Sequence, residues 1–445
     1  MSPADGRSGG APSPARPPVR IESEIGRLRA VAIHTPGPEI ESMTPRTASE
    51  VLYNDIIPIS VVSDEHRTLK TFLSTVADVY EVTDLLAELL AAPGERERLV
   101  DGVCRTPVSR RRRGELLETD PAGLVSTLVS GLRTRPDTLT DVLAGREYDL
   151  PPLPNLYFMR DSSFVVRDRV VIGAMAHPVR STEAMLLHSV FGSPAGLPSG
   201  GVIYDGCHEQ SRSGSDADGL SALRLEGGDV LVARADADAG RALLVVGVSE
   251  RTSSAALDAL ATRLLAAHDE PLTLVVAILP RERSTIHLDM VFTLVDRDVA
   301  LVYEPLVTGP RRMDAYRMRL EPGRAARVEK SDGLLDALAA EGMALRTVPC
   351  GGADPVVRER EQWLSAANAF AFAPGKIIGY DCNVATMESF SNAGFAVRDV
   401  DDYLAGGRDV AEDEKLFVGM PGINLARGGG GPRCMTLPLV RDPVR

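Results

Sequence analysis

Several kinds of residue are scarce in this 445-residue chain, and each shortage excludes something. Only four lysines occur, Lys70, Lys330, Lys376 and Lys415. Chemistry built on lysine, such as a Schiff base or a P-loop, therefore has few candidates. The five cysteines, Cys104, Cys207, Cys350, Cys382 and Cys434, are odd in number, widely scattered and contain no CxxC pair. That argues against a disulfide scaffold and against a thiolate zinc site. No apolar run approaches the roughly 18 residues that would span a bilayer, so no membrane partner is expected. A basic surplus is also missing: the net charge of −13 disfavours nucleic acid and anionic lipid and suits a cationic substrate. No GxGxxG follows a strand-like run, which removes the dinucleotide fingerprint. Residues 1–20 are rich in Pro, Gly, Ser and Ala and lack the apolar core of a signal peptide. They read as a disordered leader on a cytoplasmic protein.

What is present has globular proportions, 44% apolar and 25% charged, with length for one large domain plus an insertion, or for two domains. Apolar alternation predicts a strand over 28–34, and helical spacing predicts a helix over 64–76. From 82 to about 148 the texture changes to leucine-rich helical runs interrupted by the arginines at 110–113. No strand pattern appears there, so 82–150 is expected to be an inserted helical domain. Given the overall acidity, its arginine cluster reads as a solvated helical surface. After Pro154 short strands return in bursts with single helices between them, as at 242–248, 253–267 and 272–279. This rhythm predicts a repeated mixed β/α unit in preference to a doubly wound sheet.

Four segments concentrate polar residues in apolar or glycine-rich surroundings. Asn155-Leu156-Tyr157-Phe158-Met159-Arg160-Asp161 leads into a strand. Glu226-Gly227-Gly228-Asp229 has the form of a common turn. In His287-Leu288-Asp289 the His and Asp are two apart, which on a strand points both to one face. Cys434 follows Gly428 to Gly431, Pro432 and Arg433, in a loop whose glycines allow close backbone approach. The loop reads either as a flexible tail or as the mount of a thiol nucleophile. A cysteine protease would share the thiol and the histidine but needs no set of carboxylates. Carboxylates around a thiol suit a delocalised cation, since Asp161 and Asp289 could each take two N–H groups of a guanidinium. The bound cation would lower the thiol pKa and set its carbon against sulfur. Metal binding by His287, Asp289 and Glu226 is the competing reading.

Together these segments resemble the arginine deiminase family of guanidino-group-modifying enzymes, from about Glu24 to Pro443. The resemblance includes Gly26-Arg27-Leu28-Arg29-Ala30-Val31, Pro36-Gly37-Pro38-Glu39, Leu52-Tyr53-Asn54-Asp55-Ile56 and Asn155 to Asp161. It continues through Glu226 to Asp229, Ser249-Glu250-Arg251-Thr252, His287 to Asp289, Arg360-Glu361-Gln362-Trp363 and Gly430-Gly431-Pro432-Arg433-Cys434-Met435. The resemblance implies an α/β fold, a five-bladed pentein-type propeller of ββαβ modules. Residues 21–81 and 151–445 would form the catalytic propeller, with the helical domain inserted after the first module. It implies hydrolysis of L-arginine to L-citrulline and ammonia through a covalent S-alkylthiouronium on Cys434. His287 would be the proton carrier, Glu226 its orienter, and Asp161 and Asp289 the guanidinium clamps. Leu52, Asn155, Phe158, Arg180 and Arg251 would bind the rest of the substrate. No cofactor and no metal are implied, and the partner is a small guanidino molecule, L-arginine first; a homo-oligomer is compatible with all of this.

The sequence departs from the family pattern in places. Gly429 stands where an arginine that gates substrate entry is usual, and Asn424 where a glutamate is. Met159, Ser162, Leu364-Ser365, Cys382 and Asn54 also replace customary residues. A wider, less charged entrance is therefore expected. Alternatives are a deiminase, dihydrolase or amidinotransferase acting on another arginine-like guanidine, and a non-catalytic arginine-binding sensor.

Overall fold

Strands buried on both faces set the architecture. Ala242–Val248 and Leu272–Ile278 are near-continuous aliphatic runs and pair in parallel, as strands covered on both sides do. The helix Ser254–His268 crosses between them, its first turn capped by the Ser253 hydroxyl accepting from the Ala256 N–H, a cap worth about 1 kcal/mol. Val230–Arg234 adds an antiparallel neighbour on the other side of Ala242–Val248. The structure, a computed structural model, describes residues 16–53, 55–105, 107–212, 223–235, 240–406, 410–411 and 413–444.

The same arrangement, a central strand with one antiparallel and one parallel neighbour, recurs in four further sheets among the described residues. Arg169–Ile172 lies between Ser163–Val166 and Val202–Asp205. Val299–Val302 lies between Phe292–Asp296 and Arg346–Pro349. Lys376–Tyr380 lies between Phe370–Ala373 and Leu416–Met420. In the remaining sheet Leu28–Ile33 pairs in parallel with Asp78–Glu81 and antiparallel with the last strand, Leu437–Arg441. Each parallel step passes through a helix: Ile59–Val76, Ser181–Gly192, Ser254–His268, Leu334–Ala340 and Val384–Asn392. The fold is thus α/β, built on one repeated unit. Pairing of the first strand with the last returns the Cys434 loop, three residues ahead of Leu437, to the N-terminal sheet.

Several boundaries differ from expectation. Residues 1–15 of the expected leader lie outside the described residues, but Val19 is buried and Arg20 bridges to Val440, so packing starts ahead of Ile21. The helix expected over 64–76 begins at Ile59, where Ile59, Val61 and Val62 disguise the start because β-branched residues are weak helix formers. Between 82 and 150 the chain is mainly helical, with a small ribbon of Leu132–Arg133 and Tyr148–Leu150 that the sequence pattern does not reveal. Leu85, Leu86, Leu99, Leu124 and Leu128 share one apolar core with Val170, Val171, Leu186 and Leu187. The arginine cluster is engaged locally: Arg111 pairs with Asp137 and Asp141, Arg112 with Glu115 and Asp149, and Arg113 with Asp101. No helix among the described residues is long and apolar enough to cross a membrane.

Candidate active site

The Cys434 loop is fixed by its neighbours and is no loose tail. The Cys434 N–H donates to Asn368 Oδ1 at 3.0 Å, and the Cys434 carbonyl accepts from the Arg160 N–H at 3.1 Å. Asn368 Nδ2 donates to the Asp289 carbonyl at 3.3 Å, so one fully buried amide couples the thiol to the Asp289 segment. Gly430 lies so close to Phe158 that a Cβ would come within 2.5 Å of its ring.

Two buried carboxylates flank the thiol, each held by an arginine through one oxygen. Arg433 Nη1 donates to Asp289 Oδ2 at 2.7 Å, and the rest of its guanidinium is held by Glu24 at 3.1 and 3.2 Å and by the Val230 carbonyl. Cys434 Sγ lies 3.8 Å from the same Asp289 Oδ2. On the other side Arg180 Nη1 donates to Asp161 Oδ2 at 2.6 Å, while Arg180 Nε and Nη2 donate to Glu183 at 3.0 and 2.8 Å. The second oxygens, Asp161 Oδ1 and Asp289 Oδ1, are buried with no hydrogen-bond partner. A buried carboxylate oxygen without a donor carries a heavy desolvation cost, so such atoms point to a ligand that brings donors.

His287 completes the site. Its Nε2 meets Glu226 Oε2 at 2.9 Å, and its Nδ1 lies 3.6 Å from Asp161 Oδ1. Burial opposes a charge on the imidazole, but Asp161 and the bond to Glu226 outweigh it and raise the His287 pKa to about 9. Burial also opposes the charge on Glu226; Arg251, His287 and Arg180 overcome it and hold that carboxyl below its usual range. Burial, followed by the charges of Asp289 and Asp161, pushes the Cys434 thiol well above its usual value. The resting site therefore pairs a neutral thiol with an imidazolium.

A cavity of ≈ 280 Å³ opens onto these groups. Of the ten residues expected at the site, Leu52, Asn155, Phe158, Asp161, Arg180, Arg251, His287 and Cys434 line it. Glu226 and Asp289 stand directly behind His287 and Cys434. Leu52 sits at φ 71 in the turn 49–53, which Asn155 Nδ2 secures by donating to the Val51 carbonyl at 2.8 Å. One expectation is corrected. His287 and Asp289 are not on a strand: His287 is extended and Leu288–Met290 forms a 3-10 turn. The cause is Asp229, whose Oδ1 accepts from the Leu288 N–H at 2.9 Å while its Oδ2 accepts from the Ser249 hydroxyl at 2.6 Å. Asp229, Asn368, Arg433 and Glu24 are the positioning groups that pattern reading passed over, although Asp229 and Arg433 lie inside quoted motifs.

Asp161, Glu226 and His287 bring ligand atoms within 4.8 Å of one another, as a metal site would. The triad differs from the His287, Asp289 and Glu226 set expected for a metal. Its negative charge already faces Arg180 at 2.6 Å from Asp161 and Arg251 at 3.4 Å from Glu226, and two fixed guanidiniums repel a further metal cation. Gly429 lines the cavity at φ 102, and a Cβ there would meet nothing within 4 Å.

Known proteins resemble this chain over most of its length. The chain is 29% identical over 449 residues to an arginine deiminase of Latilactobacillus sakei subsp. sakei, covering 96% of this chain and 99% of that protein. It is 31% identical over 442 residues to an arginine deiminase of Mycobacterium tuberculosis, covering 95% and 98%. Among solved structures, an amidinotransferase from Microseira wollei in the saxitoxin biosynthetic pathway aligns over 96% of this chain and 98% of its own, with TM-score 0.48 and 12% identity. DDAH from Pseudomonas aeruginosa complexed with citrulline aligns over 92% and 99%, with TM-score 0.47 and 11% identity. The family model for arginine deiminase matches residues 49–441. On that match and the mycobacterial identity, the chain belongs to the arginine deiminase family.

Proposed function

We propose that the protein hydrolyses L-arginine to L-citrulline and ammonia with Cys434 as the nucleophile. The observation that carries this reading is the pair of donor-less buried oxygens, Asp161 Oδ1 and Asp289 Oδ1, on either side of the thiol. A guanidinium is planar and presents paired N–H donors, so it satisfies both carboxylates at once and sets its carbon against sulfur. Its positive charge also answers the high thiol pKa: the cation between Asp161 and Asp289 offsets the carboxylate field that keeps Cys434 protonated. The nucleophile is thus activated when substrate is bound.

The proton inventory follows from the His287–Glu226 pair. As the cation binds, the Cys434 proton passes to solvent through the open cavity; the thiolate adds to the guanidinium carbon, and the imidazolium of His287 gives its proton to the departing nitrogen, releasing ammonia. The neutral imidazole then takes one proton from water as the water adds to the S-alkylthiouronium; collapse expels the Cys434 thiolate, and the remaining hydroxyl proton passes to solvent, where the released ammonia takes one up. The net change is guanidinium plus water to a ureido group plus ammonium. Glu226 fixes the ring and stabilises its charged form, the part an orienting carboxylate plays beside a catalytic imidazole. Phe158, Leu52 and Asn155 wall the aliphatic stem, and Arg180 and Arg251 supply positive charge along it.

We also propose that the five repeated sheets are five blades of an α/β propeller. In this reading 21–81 and 151–445 form the catalytic body and 82–150 a helical addition to it. Assay of citrulline and ammonium from L-arginine, alongside agmatine, canavanine and hydroxyarginine, tests the reaction. Equimolar citrulline and ammonium are expected; a much faster reaction with another guanidine would displace L-arginine as the substrate.

A further inference from the structure

One of the five sheets extends beyond the repeated unit. Past Leu272–Ile278 it continues antiparallel through Ala315–Leu320 and ends on Arg327–Ser331. Pro322-Gly323 turns the chain between these two strands. Gly323 sits at φ 71, and the Arg324 N–H donates to the Glu321 carbonyl at 3.1 Å, as in a turn that needs a left-handed third residue. Residues 322–330 are all exposed.

Arg327–Ser331 therefore has a neighbour on one side only. Its other side presents unpaired backbone N–H and C=O groups, which sheets commonly blunt with proline, a bulge or lysine. This strand contains no proline, and its ladder with Ala315–Leu320 runs without a register shift. Its lysine, Lys330, is tied to Asp314 at 2.9 Å.

The side chains of the strand are left incomplete in two ways. Val328 is 61% exposed, although it lies opposite Met318, which packs against the main core. Arg327 lies opposite Arg319, a like-charge pairing that is destabilising. Glu341 neutralises Arg319 at 2.6 Å, but no carboxylate lies within 4.0 Å of Arg327 among the described residues. Glu329 pairs with Arg317 at 2.8 Å, and its side chain is still 52% exposed.

We propose that this edge is an interface with a second copy of the chain, the two Arg327–Ser331 strands pairing antiparallel about a two-fold axis at Val328. In that register Val328 meets its own copy, and Met318 and Val328 of both chains form one apolar row. Arg327 of each chain faces Glu329 of the other, which supplies the carboxylate that Arg327 lacks. The neighbouring two-fold registers fail. An axis at Glu329 sets glutamate on glutamate, and an axis at Arg327 sets arginine on arginine. The strand is thus self-complementary in one register. A pairing of five residues is smaller than the about 1,200–2,000 Å² of a stable interface, so a concentration-dependent dimer is expected.

Charge reversal tests this, because the two-fold axis doubles every change. Arg327→Glu sets carboxylates against carboxylates, and Glu329→Arg sets guanidiniums against guanidiniums. Sedimentation velocity over about 0.5–50 µM chain should show the wild type dimerising. Either variant alone should raise the dimer dissociation constant about 10–30-fold, as two attractive pairs turned repulsive imply. Mixed in equal amounts, the two variants should return to within about 3-fold of the wild-type constant, because the acidic strand of one then faces the basic strand of the other. Misfolding of a variant would not be repaired by mixing, and far-UV circular dichroism of each should match the wild type. A wild-type monomer across the whole range would overturn the proposal. So would an assembly that neither variant weakens by more than about 3-fold, or a weakening that mixing does not reverse.

Discussion

The floor and the mouth of the cavity are built on opposite plans. At the floor, Arg433, Glu24, Asp289, Arg180, Glu183 and Glu226 are buried and interlocked by ion pairs. At the mouth Arg283 is exposed and Gly429 adds no side chain at all, and in the adjoining chain Arg427 pairs with Asp55 with side chains 40% and 54% exposed. Buried charges have few arrangements that leave none unpaired, so the floor holds one geometry before substrate arrives. Exposed pairs contribute about 0–1 kcal/mol, so the mouth can change with little effect on the fold. On the proposed function, reaction type resides in the floor, and the mouth is free to change around it.

That contrast can be broken at four points. Cys434→Ala should lower turnover of L-arginine by about 10⁴-fold or more while calorimetry still detects substrate binding, because the two clamps remain. Normal turnover in this variant would remove Cys434 from the chemistry. Arg433→Met should destabilise the fold by about 3–5 kcal/mol in denaturant titration, since it leaves Glu24 and Asp289 buried without their partner. A loss under about 1 kcal/mol would show that the floor is not interlocked.

Glu226→Gln should reduce kcat by about 10²-fold and move the alkaline limb of the pH profile to lower pH. The direction follows from His287, whose pKa is raised from 6.5 to about 9, partly through Glu226. The protonated ring must release ammonia, so wild-type activity falls as pH rises through about 9. The raised pKa also stabilises the folded state fully below about 6.5, a contribution lost as pH rises through about 9. Glu24 acts at the other end. Burial opposes its charge, but Arg433 and Arg160 hold its pKa at about 2 against 4.5. Its contribution is present above 4.5 and lost as pH falls through about 2. An alkaline limb unmoved in Glu226→Gln would detach His287 from the rate.

The mildest change is at the mouth. Gly429→Ala meets no steric obstacle but places a side chain at φ 102, so a stability loss of about 1–2 kcal/mol is expected with kcat nearly unchanged. A collapse of kcat would mean that Gly429 belongs to the floor.

Much of the floor is legible in the sequence because its chemistry demands particular residue types. A thiol, an imidazole and carboxylates in Cys434, His287, Glu226, Asp161 and Asp289 have few other uses when they recur in those motifs. The groups that hold them are harder to find. Asn368 reaches Cys434 across 66 residues and Glu24 reaches Arg433 across 409, separations that no local pattern encodes. The 3-10 turn at Leu288–Met290 was hidden for the same reason, since Asp229, 59 residues upstream, accepts the Leu288 N–H. The repeated β/α rhythm was visible because its strands are continuous aliphatic runs. The ribbon of Leu132–Arg133 and Tyr148–Leu150 was not, because two or three residues are too short to show alternation. The sequence offers Arg180 as a candidate substrate-binding residue, but only the structure reveals that Asp161 and Glu183 already occupy its guanidinium.

The most direct test of covalent catalysis is to mix the wild-type enzyme with L-arginine labelled in the guanidino carbon, quench with acid within a turnover, and map the labelled peptide. Label on the peptide that contains Cys434, absent from Cys434→Ala, is the expected result. Citrulline formed at full rate with no label on Cys434, or with label on another cysteine, would contradict it.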